Sequence, residues 1–198
     1  MTQTELSNLF PSTCSLGDWV LLVSPSDFFR LKGITIEKSR LFLLVCRGSL
    51  SVTINGKNFE LAPGLVDLLD TSTLLVGSCS NDLEAWALFA TFEFASASLK
   101  NLRPGPMIHP QERLNIPIMD FTEKETALMQ KQLQQLKEIL ADKNHYYQRE
   151  MAELYFRSFN LELGNALYRH LKEADDAPKY ISRRDFITLN FFKLVNEH

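Results

Sequence analysis

Disulfide chemistry has little to work with in this chain: its 198 residues hold three cysteines, Cys14, Cys46 and Cys79, an odd number with no Cys-x-x-Cys among them. They read as small apolar residues in a reduced compartment, not as a disulfide framework or a thiol nucleophile. Histidine is equally sparse, and His109, His145, His170 and His198 each read as a surface or capping residue. There is no His-Glu-x-x-His, no phosphate-cradling glycine loop and no Gly-x-Ser-x-Gly elbow. No apolar run approaches the roughly 18 residues of a membrane span, and no secretory leader pattern opens the chain, so a cytoplasmic protein with no membrane partner is expected. Positive charge is not in excess either: 21 basic against 24 acidic residues give a net charge of -3, unlike a surface that grips phosphates.

What is present is ordinary for a globular protein, 45 % hydrophobic and 23 % charged residues, which excludes disorder. Two textures meet near residue 100. The first is rich in Val, Ile, Phe and Thr between evenly spaced turn residues, and predicts strands at 18–24, 40–47, 49–55, 58–62, 65–69, 73–79 and 84–94. Ser49-Leu50-Ser51-Val52-Thr53-Ile54 alternates strictly, with Leu50, Val52 and Ile54 facing a core. Asn55-Gly56 then supplies two positive φ angles for a tight hairpin, and Ala62-Pro63-Gly64 turns the chain again. Hairpins in such succession imply a sandwich or barrel.

Pro104, Pro106, Pro110 and Pro117 make 101–120 an extended connector. Thr122-Glu123-Lys124-Glu125 is a capping box, and Met129, Leu133, Leu136 and Leu140 recur at heptad-like spacing along a helix predicted over 123–142. A second helix, 146–173, carries Tyr147, Met151, Leu154 and Tyr155 on one side and Phe156, Phe159, Leu163, Leu167 and Leu171 on another, so it needs cover on two sides. Either the first helix buries its stripe against its own domain or the two helices pair two subunits. The two-sided apolarity favours a homodimer, with Met129, Leu133, Leu136, Leu140, Met151, Leu154 and Tyr155 as candidate interface. After Pro178, Ser182-Arg183-Arg184-Asp185 caps a third helix that is still running at His198.

The carboxylates Glu84, Glu93, Asp67 and Asp70 lie in the strand region without visible pairing. Asp67 and Asp70 flank an apolar pair and face either a pocket or a solvated edge.

Phe42 through Val52, with Gly48 inside it, and Leu61-Ala62-Pro63-Gly64 after it resemble the cupin barrel, a double-stranded β-helix. Placing Gly48 and Gly64 on the family's glycines puts its His-x-His within Ile34-Thr35-Ile36-Glu37-Lys38, its Glu near Leu41 or Phe42 and its later His at Leu75. The resemblance therefore implies a binding barrel without metal or other cofactor. A non-metal cupin, a proline-containing connector, two amphipathic helices and a linker together resemble the N-terminal half of AraC/XylS-type transcription regulators, Bacteroides-like ones in particular. In these, phrases such as Phe191-Phe192-Lys193-Leu194-Val195-Asn196-Glu197-His198 open the first helix of a C-terminal DNA-binding unit.

The expected fold is thus mainly β, then α: a cupin-like barrel at 1–100, the connector at 101–120, a helical dimerisation segment at 121–175, and at 176–198 a linker with the start of a helix-turn-helix unit. The resemblance implies a bacterial sensor and dimerisation domain, not an enzyme, that reaches DNA only through that following unit. Phe42, Cys46, Val52, Leu75, Trp86 and Leu88 are the candidate barrel-lining residues, either filled core or the wall of a pocket. Such a pocket would suit an aromatic or lipid-like effector better than a sugar. A non-metal cupin enzyme, an isomerase for example, would need a convergent acid/base pair that the sequence does not display. A stand-alone binding protein is the remaining alternative.

Overall fold

The turn residues divide the β half of the chain as their chemistry requires. The computed structural model describes residues 1–11, 14–68, 72–102 and 118–173, with side chains to His170. Asp70, the prolines of the connector, His109, the Leu171 side chain and the expected third helix lie outside the described residues. Helix α1 (Gln3–Ser7) is followed by β1 (Ser15–Leu16), β2 (Val20–Val23), a short 3-10 helix (Phe28–Leu31) and β3 (Thr35–Ile36). Then come β4 (Arg40–Arg47), β5 (Leu50–Ile54), β6 (Lys57–Leu61), β7 (Gly64–Leu68), β8 (Leu74–Cys79) and β9 (Glu84–Ala90). Helix α2 (Phe92–Ser98), the edge strand β10 (Ile118–Asp120) and the long helices α3 (Glu123–Ala141) and α4 (Gln148–Glu173) are the remaining elements among the described residues.

Among the described residues all strand pairs are antiparallel. They form a six-stranded sheet, β1-β2-β9-β4-β7-β10, and a four-stranded sheet, β3-β8-β5-β6. The expected closed barrel is not formed: among the described residues no ladder joins the two sheets. Their edges are of the kind that discourages pairing. β1 spans two residues and β10 three, while β6 presents exposed Lys57, Asn58 and Glu60.

The hairpin at Asn55-Gly56 is as its sequence predicts, with φ of 48° and 78° at its two central residues. Gly48, at φ 77°, is a glycine for a further reason, since a Cβ there would stand 2.9 Å from the Leu83 Cα. The strand expected over 84–94 is shorter. Thr91 ends it by accepting a hydrogen bond from the Phe94 N–H at 3.3 Å, and Phe92–Ser98 turns into helix with Glu93 in its first turn.

The six-stranded sheet is buried on both faces, which explains its uninterrupted apolar strands. Its inner face meets the four-stranded sheet, and its outer face is covered by α2, α3 and α4. The four-stranded sheet keeps one face wet, hence the alternation in β5. The α3–α4 corner is tied by the Gln148 amide, which donates to the Ile139 and Leu140 carbonyls at 2.9 and 3.1 Å.

Candidate functional site

Two apolar layers result, and the residues expected to line the barrel divide between them. Along β4, Leu41, Leu43 and Val45 point between the sheets, whereas Phe42, Leu44 and Cys46 point to the helices. Along β9, Ala85, Ala87 and Phe89 point inward and Trp86 and Leu88 outward to the helices. Of the six candidates only Val52 lies between the sheets. Phe42, Cys46, Trp86 and Leu88 are in the helix-facing layer, and Leu75 is 37 % exposed on the four-stranded sheet. The correction has a simple origin. A strand apolar on both faces offers no polar residue to say which parity is inside.

The helix-facing layer is built around aromatic rings. Phe42 meets Phe159 edge-on at 5.3 Å and Phe156 at 6.2 Å, and Phe94 meets Phe156 at 5.3 Å. A charge is set into it. Asp67 lies opposite Phe42 on the neighbouring strand, its side chain 1 % exposed, and the Arg40 guanidinium stands 2.7 Å from its Oδ1 and 4.7 Å over the Phe42 ring. Cys46 sits at the bulge where the β4–β9 register shifts. Burial first, then the nearby Glu84 charge, push its thiol up to about 12, so it stays protonated. Cys46 and Cys79 are free thiols.

The expected dimer stripe is internal: Met129, Leu133, Leu136 and Leu140 are buried among the sheet and α4. That corrects their assignment to a subunit interface. Of the other three candidates, Met151 and Tyr155 are half-buried and Leu154 is exposed.

A second polar cluster joins the start of α3 to the end of α4. Glu125 accepts from the Thr122 backbone N–H at 3.1 Å and the Thr122 hydroxyl at 2.9 Å. Arg169 donates to its other oxygen from Nε at 3.2 Å and Nη2 at 2.9 Å, and the His170 ring nitrogen stands 3.0 Å from the oxygen that Thr122 holds. Burial alone would raise the pKa of this carboxyl. The hydrogen bonds from the Thr122 backbone, His170, Arg169 and the Thr122 hydroxyl outweigh it and hold the carboxyl at about 2. Among the described residues no group of three or more His, Cys, Asp or Glu side chains could hold a metal ion, and no helix is long and apolar enough to cross a membrane.

No protein-family model matches this chain, and no curated protein matches it in sequence. Among solved structures it is similar to an apo variant of ToxT from Vibrio cholerae, at TM-score 0.46 and 10 % identity over 74 % of this chain and 55 % of that one. It is similar also to the AraC-like transcriptional activator CuxR, at TM-score 0.38 and 11 % identity over 75 % of this chain and 47 % of that one. A ToxT structure with unsaturated fatty acid bound matches at TM-score 0.37 and 12 % identity, over 74 % and 53 % of the two chains. The chain spans about half the length of these proteins.

The sequence pattern gave no sign of either polar cluster beyond the Thr122–Glu125 box. Arg40 and Asp67 meet through strand pairing, and Arg169 and His170 reach Glu125 from 44 and 45 residues away.

Proposed function

We propose that this chain is the effector-responsive and subunit-pairing half of an AraC/XylS-type transcription regulator, built on a cupin-like β unit that works without metal and without catalysis. The observation that carries the reading is the chemistry of the space between the sheets. Leu21, Leu41, Leu43, Val52, Val66 and Phe89 pack there. The buried carboxylates among the described residues, Asp67 and Glu125, both belong to the helix layer. A reaction centre needs an acid/base pair aimed at its substrate; a carbon-walled interior favours binding an apolar molecule. Where the resemblance puts a cupin's metal ligands, Thr35 and Leu75 lie exposed and Ile36 and Leu41 lie in the core.

The reading includes a route for the signal. The sheet whose inner face would meet the effector carries α3 and α4 on its outer face, and Glu125 pins the far end of α4. An effector that favours one packing of the sheets then biases the direction in which the chain leaves α4. DNA is reached through a helix-turn-helix unit encoded after His198.

Thermal unfolding with unsaturated fatty acids, the ligand class of the ToxT structure above, tests the effector. A saturable rise in Tm of a few degrees supports it, and an unchanged Tm with fatty acids and aromatic acids alike contradicts it. The reading frame tests the regulator: a pair of helix-turn-helix motifs after His198 supports it and a stop codon contradicts it.

A further inference from the structure

Helices α2 and α4 pack on each other through Phe94 and Phe156, and between them lies an open groove of about 280 Å³. Ala97 and Ser98, the last two residues of α2, form one wall. Glu150, Glu153, Leu154 and Arg157 of α4 form the other.

The charges on the α4 wall do not cancel within the helix. Residues four apart on a helix are neighbours, and Arg157 has Glu153 in that position. Glu153 is already taken from its other side, where the Arg149 Nε donates to it at 3.0 Å. Glu150 has no basic residue three or four positions away in either direction. Neither Glu150 nor Arg157 forms an ion pair with any described residue. They stand about 10 Å apart along the axis, too far to satisfy each other. Leu154 sits between them, four residues from one and three from the other, and is 56 % exposed. Along the helix the wall therefore runs carboxylate, apolar side chain, guanidinium. Arg157 is half-buried, where a charge without a partner costs more than in open water.

We propose that this groove binds a small zwitterion, an ω-amino acid or a dipeptide. Its ammonium meets Glu150, its middle lies on Leu154 between the two helices, and its carboxylate takes the Arg157 guanidinium, which can hold it through two hydrogen bonds. With a hydrogen bond of about 2.8 Å at each end, a spacer of about four carbons spans what remains of the ~10 Å. The volume, just below the ~300–1,000 Å³ of sites for drug-sized ligands, suits a molecule of that length. A monoanion would leave Glu150 unmet and a monocation would leave Arg157 unmet, so both charges of the ligand are used. The groove lies on the helix side of the six-stranded sheet, away from the space between the sheets. It is thus a second site, independent of the effector reading above.

Isothermal titration calorimetry of the whole chain with 5-aminopentanoate tests this, with pentanoate and pentylamine titrated beside it. Saturable binding of the zwitterion is expected, at least ~5-fold tighter than either singly charged analogue. Glu150→Gln and Arg157→Gln alter the groove and not the core, and each should weaken that binding by a similar factor. Affinity for 5-aminopentanoate that both variants leave unchanged overturns the proposal. So does the absence of saturable binding, the result expected if a second copy of the chain covers the groove. Either outcome leaves the fatty-acid test of the effector reading standing.

Discussion

Asp67 carries its carboxyl group into the largely apolar helix-facing layer, where it is 1 % exposed and the Arg40 guanidinium stands 2.7 Å away. Removing one partner of such a pair strands the other, so Arg40→Met should lower stability to urea by roughly 3 kcal/mol, and Arg40→Met with Asp67→Leu should recover most of it. An equal loss in both variants would show that the pair itself contributes little. Glu125 makes a prediction in pH. Its folded pKa, about 2, lies below the ordinary value of 4.5, so the stability it adds is complete above about pH 4.5 and is lost as pH falls toward 2. Glu125→Gln should therefore destabilise by about 1.5–3 kcal/mol at pH 7, and the gap to wild type should narrow in urea titrations at pH 3. A gap independent of pH would refute the clamp. The capping half of this site is legible in sequence because Thr122 and Glu125 are one turn apart. Its Arg169 and His170 half is not, because only the packing of α3 on α4 brings those residues near.

At the scale of elements, the seven strands of four residues or more, the hairpin and the two long helices are legible, because period and turn chemistry are local; the short β1, β3 and β10 are not. Which face of an element meets what is less so. Leu133 and Leu136 repeat as an interface residue would, but a helix satisfies that stripe equally well against its own sheet. Leu133→Ala should accordingly cost about 2–5 kcal/mol of folding stability. Leu133→Asp with Leu136→Asp should abolish the cooperative unfolding transition, where an interface pair would give a folded monomer. The parity of β4 and β9 was unreadable for a related reason, since Phe42 and Leu43 are both buried and both apolar.

In the whole molecule, one sheet is shared by two cores, so a change between the sheets cannot occur without consequence for the helices on the other side. Closely packed layers shift between discrete arrangements more readily than they deform. That shared sheet makes the functional reading mechanical as well as chemical: effector on one face, α4 on the other. Amide hydrogen exchange of the whole chain, with and without a saturating concentration of an unsaturated fatty acid, follows both ends of that route at once. The expected result is slower exchange in β4, β7 and β9, together with changed exchange in the α4 turn held by Glu125. Saturable binding that leaves α4 unchanged, or no binding at all, would contradict it.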